Sequence, residues 1–561
     1  MGELKYLNKF LIKYKWRLLF GILFVALINV TAVVAPKILG TVVDLLQEEM
    51  NKVTADKSTF HQTLLYYCLA FLGLALLNGI FKFFMRQTII VMSRLIEFDV
   101  KNEIYKHYQW LDSAFYKRNN TGDLMNRATE DVSRIRMYLG PALMYAINTA
   151  FMASFVVVMM FSTNVRLAFW VLLPMPFLAA AIFYIKEHIN VASERIQEQL
   201  STLTTYAQEF YSGIRVLKSF VQEKHVNLLY DKESKEYKKR SLHLAKIEAL
   251  FFPIMILLVG LSMIIVIWVG GDLYIDDKLS MGNLLEFVFY VNMLTWPMTS
   301  IGWVASIVQQ AAASQKRIND FLDTKPDIQN ESSSDFKLKG DIVFNDVSFT
   351  YPDTGIEALK NISFNIKNGE KWAIIGRTGS GKTTIADLLF RLYNVSSGEM
   401  TIDDENIENV NLYQLRNEIA YVPQDVFLFS DTVRENIRFS DADLSDDVVM
   451  QAAKNASIHD EILAFDKGYD TIVGERGVTL SGGQKQRISI ARALIKNPSC
   501  IIFDDALSAV DAHTEETILK NLNTAIDGKT VIVITHRIFS LLDFDNILVL
   551  DDGAIAEIGK H

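Results

Sequence analysis

The segment Gly376-Arg377-Thr378-Gly379-Ser380-Gly381-Lys382-Thr383 sets glycines, a lysine and a hydroxyl in the pattern G-x-x-x-x-G-K-[ST]. Glycines let successive backbone N–H groups converge on an anion with no Cβ in the way. The lysine can reach terminal phosphates, and Thr383 can offer its hydroxyl to Mg²⁺. The chemistry implied is the binding of a nucleoside triphosphate. Such a loop needs a strand before it and a helix after it. The apolar run Trp372-Ala373-Ile374-Ile375 reads as a buried strand, and Thr384 to Leu392 reads as a helix.

Three further stretches can serve the same chemistry. Ser499 to Phe503 reads as a buried strand ending in Asp504-Asp505, where an acid can hold Mg²⁺ opposite Thr383. Val531-Ile532-Val533-Ile534-Thr535-His536 is another apolar strand, and its histidine is placed to meet a γ-phosphate at the sheet's C-terminal edge. Leu480-Ser481-Gly482-Gly483-Gln484 precedes a helix over Gln486 to Ile495, so its hydroxyl and N–H groups form a second anion cradle. One phosphate loop needs no second cradle, which assigns this one to a nucleotide held by another subunit. Taken singly, each stretch has a plainer reading: His536 as a core histidine, Asp504-Asp505 as a turn pair.

The chain that must position these groups has 561 residues, half of them hydrophobic, and a positive mean hydropathy. That is too long for one ordinary domain. Residues 18 to 308 hold long uncharged runs, whereas 326 to 561 have the composition of a soluble α/β protein. A net charge of -9 lacks the basic footprint of a nucleic-acid binder. Cys68 lies in an apolar run and Cys500 in the soluble half, so a mutual disulfide is not expected. Met1 to Trp16 is amphipathic and basic, and the apolar segment behind it is too long for a cleavable leader.

Hydropathy predicts six membrane spans, at about 18–39, 63–84, 138–161, 167–185, 250–271 and 284–308, each long enough to cross a core of about 30 Å. Lys5, Lys9, Lys13, Lys15 and Arg17 before the first span, against a lone Glu3, place the N-terminus in the cytoplasm. The polar segment Gln47 to Lys57 is then outside, and the connections at 87–137 and 186–247 are cytoplasmic. Segments such as Arg94 to Lys101 keep a helical pattern but are too charged for lipid, so the helices should run on beyond the bilayer. Pro36, Pro174, Pro176, Pro253 and Pro297 in or near spans read as kinks. Lys82 and Arg86 at the inner end of span two read as snorkelling cations, with cavity-lining charges as the alternative. Phe289, Met293, Trp296, Ser300, Trp303 and Ile307 share one face of span six, for helix packing or for an apolar substrate. A Ser-rich linker spans 324 to 340, and alternation from Asp341 to Phe349 begins the soluble domain with a strand.

These elements, in this order, resemble the ATP-binding cassette family, specifically exporter half-transporters with six spans fused to one nucleotide-binding domain, over nearly the whole chain. The resemblance implies an α-helical membrane domain at 1–323 with long cytoplasmic extensions, and at 341–561 an α/β P-loop domain with a helical subdomain. It implies that Tyr351 stacks on adenine, that Gly376 to Thr383 with Thr384 hold the phosphates, and that Gln424, in Tyr421-Val422-Pro423-Gln424, contacts Mg²⁺ beside Thr383 and Asp504. Val473 to Gly477 resembles the X-loop, Ser481, Gly482, Gly483 and Gln484 the nucleotide-binding signature, Ser508 to Asp511 the D-loop and His536 the switch histidine. Thr121-Gly122-Asp123-Leu124, Arg127 and Asp131 resemble the first cytoplasmic connection, and Glu209, Gly213, Ile214, Val216, Lys218 and Phe220 the second. Coupling helices that dock on nucleotide domains are thereby implied at about 112–122 and 205–218.

One residue departs from the family pattern. The position after the Walker B acid is usually Glu, the base that orients the attacking water; here it is Asp505, shorter by one methylene. The expectation is slow hydrolysis at this chain's own site, with Lys382, Gln424 and His536 otherwise in place. In the family such a replacement is common in one member of asymmetric pairs, so the partner is a second half-transporter, in a homodimer or, by a slight lean, a heterodimer. The activity implied is ATP-driven export of a hydrophobic or amphipathic drug, lipid or peptide across the cell's inner membrane, with the nucleotide domain cytoplasmic. The alternatives are an ATP-gated channel or regulatory subunit, and an exporter-shaped importer.

Overall fold

The computed structural model describes residues 2–51, 57–330, 338–474, 477, 479–506, 512–536 and 543–560. Glu475 and Arg476 of the X-loop, the D-loop residues Ser508 to Asp511, residues 52–56 of the outside segment and 331–337 of the linker lie outside this set. The chain forms two compact units: Met1–Gln109 with Gly122–Thr324, and Trp110–Thr121 with Lys325–His561.

The first unit is built of long helices: α1 (Lys15–Asn51), α2 (Phe60–Trp110), α3 (Thr121–Thr163), α4 (Val165–Ser212), α5 (Glu223–Ile275) and α6 (Met281–Leu322). Among the described residues, five helices, α1 to α5, are long and apolar enough to cross a membrane. The sixth, α6, carries Glu286, Asn292 and Pro297 within its apolar stretch. At 53 residues and about 1.5 Å per residue, α5 is roughly 80 Å long, over twice a hydrocarbon core. Pro36, Pro253 and Pro297 lie inside helices, and Pro174 marks the break between Val165–Leu172 and Met175–Ser212.

Lipid supplies no hydrophobic force between spans, so close approach and polar pairs hold them. Gly282 of α6 lies so near the Gly40 backbone of α1 that a Cβ would overlap it, and the Gly282 N–H donates to Asp44 Oδ1 at 2.7 Å. Asn29 Nδ2 donates to Asn148 Oδ1 at 2.9 Å, and the Thr149 and Ser300 hydroxyls meet at 2.7 Å. The basic N-terminal segment packs on α2, where Lys9 pairs with Glu103 and Lys13 with Asp99, each at 2.7 Å. Arg127 pairs with Asp123 at 2.9 Å, and the buried Asp131 is clasped by Arg317 of α6.

The second unit contains two sheets. One is antiparallel, in the order β2-β1-β4-β5, from β1 (Ile342–Thr350), β2 (Glu357–Ile366), β4 (Ser397–Ile402) and β5 (Glu405–Asn406). The other, in the order β10-β9-β3-β8-β7-β6, joins β3 (Lys371–Gly376), β6 (Ile419–Val422), β7 (Cys500–Asp504), β8 (Thr530–Thr535), β9 (Asn546–Asp551) and β10 (Ala554–Gly559). All its neighbours are parallel except β9 and β10. Strands β7 and β8 are buried along their whole length because both faces are covered. Ile501, Phe503, Val531 and Val533 face a helical layer that includes Asp446–Asn455 and Gly482–Leu494. Cys500, Ile502, Ile532 and Ile534 face a core shared with the antiparallel sheet. Both cysteines are free.

Ile502 has no exposed surface. Ile502→Ala removes its packing with little room to relax and should cost about 2–5 kcal/mol. A lowered melting transition of the full-length purified protein is expected, while Tyr413→Ala, at 78% exposed, leaves it in place. Equal melting of the two variants would contradict the two-faced core.

Candidate functional site

Strand β3 lies between β8 and β9, so the loop leaving it opens at the C-terminal edge of the central strands. The helix behind the loop is α7 (Lys382–Leu389), which starts two residues before the sequence expectation because Lys382 already belongs to its first turn. Gly381 caps it at φ +95, where a Cβ would collide with the Ala358 carbonyl, so glycine is required there on both counts.

Lys382 is buried, and its ammonium donates to the Gly376 carbonyl at 2.9 Å and the Arg377 carbonyl at 2.8 Å. Burial pushes its pKa below the usual lysine range, against the pull of Asp504 and Asp505. Across the loop, burial pushes the Asp504 carboxyl above the usual range, although hydrogen bonds from Thr383 and Tyr421 favour its charge. The Tyr421 bond is 3.1 Å long. Both charged forms are thus underserved by the protein alone, and each gains from an opposite charge arriving between them.

The buried Ser380 hydroxyl has no partner among the described residues, an orphan that a phosphate oxygen would satisfy. This donor set fits a triphosphate. For Mg²⁺ the available protein atoms are the Thr383 hydroxyl and the Asp504 carboxylate, an all-oxygen set of the kind that cation takes alongside phosphate and water. No group of three or more His, Cys, Asp or Glu side chains suited to a metal occurs among the described residues.

Asp505 follows at φ +47, a left-handed backbone that Asp adopts more readily than most residues. Its N–H donates to the Ile534 carbonyl at 2.8 Å, and its carboxylate receives Gln424 Nε2 at 3.5 Å. His536 is exposed and comes one residue after Thr535, whose register partner Ile375 directly precedes Gly376. Lys382, Thr383, Asp504, Asp505, Gln424 and His536 therefore gather at one sheet edge.

Tyr351 is anchored by its hydroxyl, 3.0 Å from Thr384 Oγ1 and 3.3 Å from Asp387 Oδ2 of α7, with its ring edge-on to Phe349 and Tyr393. Sequence reasoning missed what lies over it. The short helix Ser113–Arg118 belongs to this unit, and its Lys117 Nζ stands 5.2 Å from the Tyr351 ring centre and 3.9 Å from Asp387 Oδ2. Lys117 carries no local signal, because its partners are remote in the chain. Tyr421 belongs to the Tyr-Val-Pro-Gln stretch, but nothing in that stretch marks its bond to Asp504.

The second cradle lies on a different part of the unit. Ser481 caps α8 (Gly482–Leu494) by accepting the Gln484 N–H at 3.3 Å, while Gln484 Oε1 accepts the Ser481 N–H at 2.9 Å. Gln484 and Arg487 both hold Glu461 of the helical layer, and Gly482 is exposed. The cradle's hydrogen bonds run to its own layer, and its Gly482 edge is exposed.

Residues 18–298 match the family described as ABC transporter transmembrane region, and residues 359–508 match the family described as ABC transporter. The chain is 36% identical over its full length to the probable multidrug resistance ABC transporter ATP-binding/permease protein YheI of Bacillus subtilis, covering 94% of that protein. It is 32% identical over 96% of its length to the ATP-dependent lipid A-core flippase of Syntrophus aciditrophicus, covering 89% of it. A bacterial Atm1-family ABC exporter solved with ATP bound superposes with a TM-score of 0.78 at 28% identity, covering 98% of this chain and 95% of that one. With helices and phosphate loop of this architecture fused in one polypeptide, the chain belongs to the ATP-binding cassette transporter family.

Proposed function

We propose that the chain is one half of a dimeric, membrane-embedded ATPase that exports a hydrophobic or amphipathic compound. The observation that carries this reading is the segment Trp110–Thr121. It is part of the nucleotide unit's compact body, although the chain on both sides of it belongs to the membrane unit. Its helix meets α7, the helix that begins at the phosphate loop, through Lys117 and Asp387. A change at the phosphates is thereby one helix away from α2 and α3.

In this mechanism Lys382 and the loop amides would hold the β- and γ-phosphates, and Thr383 and Asp504, joined by Gln424 through its side-chain oxygen, would hold Mg²⁺. Tyr351 supports the adenine, Asp505 orients the attacking water, and His536 contacts the γ-phosphate. Ser481, Gly482, Gly483 and Gln484 close on the nucleotide of the partner chain, which explains a cradle whose glycine edge faces outward. The second connection agrees with a dimer. Gly213 ends α4, and the short helix Ile214–Ser219 that follows exposes Val216 at 63%, with Phe220 exposed next to it at 70%. This helix lies at the end of the expected 205–218 stretch, because residues up to Ser212 continue α4. We assign its apolar face to the partner's nucleotide unit. ATP binds the closed dimer better than the open one, and that differential affinity moves the helices from inward-open to outward-open.

All six long helices span the membrane in this reading, with the N-terminus and nucleotide unit cytoplasmic. The names of the relatives, multidrug and lipid A-core transporters, agree with an apolar or amphipathic cargo. Asp505 weights the pairing toward a heterodimer with a half-transporter that has Glu at this position.

Lys382→Ala in the purified full-length protein should lower ATP turnover by about 100-fold or more, through loss of phosphate charge stabilisation. Turnover that survives the change would remove the ATPase reading. In protein purified alone, where every dimer is self-paired, Asp505→Glu should raise turnover by about 10- to 100-fold by restoring the missing reach. An unchanged or lower rate would dismiss Asp505 as the water-orienting group. Inside-out vesicles carrying the protein should accumulate a fluorescent amphiphile when given ATP, and ATP-driven release instead would reverse the direction proposed.

A further inference from the structure

Helix α2 carries a polar stripe, Asn78, Lys82 and Arg86, at i, i+4 and i+8 in an otherwise apolar run. The stripe begins against protein: Asn78 Nδ2 donates to Thr31 Oγ1 at 2.7 Å and to the Ile28 carbonyl at 2.9 Å, both on α1. One and two turns on, Lys82 and Arg86 line a cavity of about 400 Å³ with Ile28 of α1 and Met144, Tyr145 and Asn148 of α3. A helical π turn starts at Arg86, a local widening that often accompanies a functional position.

The cavity's polar groups are chiefly donors. Neither Lys82 nor Arg86 has an acidic partner among the described residues. Asn148 spends its carbonyl on Asn29 Nδ2 at 2.9 Å, which leaves its NH₂ for the cavity. Two like charges one turn apart repel, and unpaired cations at membrane depth are costly. An anion between them removes both penalties. Both side chains are exposed, and on their inner side they share a pocket with side chains of two other helices.

One of the pocket's lining residues, Tyr145, touches an aromatic surface. Tyr145 stands edge-on to Trp303 at 5.3 Å and to Trp296 at 6.3 Å, both on α6. Trp296 in turn lines an apolar cavity of about 770 Å³ with Phe251, Met255 and Met263 of α5. Charge and grease are therefore arranged end to end, cations first and aromatics after.

We infer that Lys82, Arg86 and Asn148 bind the anionic head, a phosphate or carboxylate, of an amphiphile whose apolar tail lies along Tyr145, Trp303 and Trp296. This rests on the transport reading above and names the class of its substrate.

The test uses full-length protein in phosphatidylcholine nanodiscs and dansyl-labelled single-chain amphiphiles that share one tail but carry a phosphate, a phosphocholine or a trimethylammonium head. Binding is read as energy transfer from tryptophan to dansyl. The phosphate-headed probe should bind about tenfold or more tightly than the other two, the scale of losing charge-assisted hydrogen bonds. Lys82→Gln with Arg86→Gln should abolish that preference, and Lys82→Arg should keep it. Equal binding of all three probes by the unaltered protein overturns the proposal, a result that requires no variant to fold. So does an undiminished preference in the double variant, which would make the cations snorkelling residues. Displacement of the phosphate-headed probe by inorganic phosphate at equal concentration would assign a free-anion site and likewise overturn it. ATP turnover measured in the same nanodiscs scores the transport reading separately, since binding is read without nucleotide.

Discussion

Opposite charges buried at the edge of a parallel sheet, close enough to influence one another yet not paired, set the terms for the rest of the molecule. Lys382 rests on two backbone carbonyls and Asp504 on a tyrosine and a threonine hydroxyl, so neither charge is fully compensated by the protein. Strands β7 and β8 beneath the site are buried on both faces, which is why they read as unbroken apolar runs. The hydrophobic layers thus hold the two charges in place at the sheet edge, and a triphosphate with its counter-cation would serve both sides at once.

The same economy of charge extends into the helices, where the surroundings are drier still. Between α1, α2 and α3 the contacts include Asn29 with Asn148 and Asn78 with Thr31, uncharged pairs that cost less to bury than charges do. Ion pairs among the described residues recur in the extensions, as in Lys9 with Glu103 and Arg127 with Asp123. Lys82 and Arg86 stand apart from these, cations on the same stripe as Asn78 but without its satisfaction.

Much of this was legible in the sequence, and the residues show why. Buried strands announce themselves by apolar runs, and a phosphate loop by glycines at fixed offsets, because both are local demands on neighbouring residues. The strands around Trp372, Ile501 and Val531 and the helix behind Lys382 were accordingly placed within a few residues. Demands made by distant parts of the chain left no local mark. The left-handed backbone at Asp505, the bond from Tyr421 to Asp504 and the position of Lys117 over Tyr351 all arise where remote elements meet. The basic N-terminus was read for its charge against the membrane; its lysines also have partners on α2 that no charge count reveals. Ile328, inside the stretch read as linker, is buried, because a few apolar residues in a polar segment are enough to dock it.

The helix Ser113–Arg118 shows how weakly such a coupling element is held by its own sequence. Six residues form too few turns to offset the cost of starting a helix, so it would not persist in isolation. What fixes it comes from outside. One oxygen of Asp112 caps the helix by accepting the Phe115 N–H at 2.9 Å, and the other accepts the Asp327 N–H at 2.6 Å, so a single carboxylate starts the helix and holds the chain entering the nucleotide unit. Arg118 reaches the Asp327 side chain at 3.3 Å, and Ala114 is buried in the core behind the phosphate loop. A helix whose shape depends on its dock has no stable conformation apart from it. In the mechanism proposed above, the segment between α2 and α3 follows the nucleotide unit, which is the mechanical requirement for turning phosphate chemistry into movement of helices.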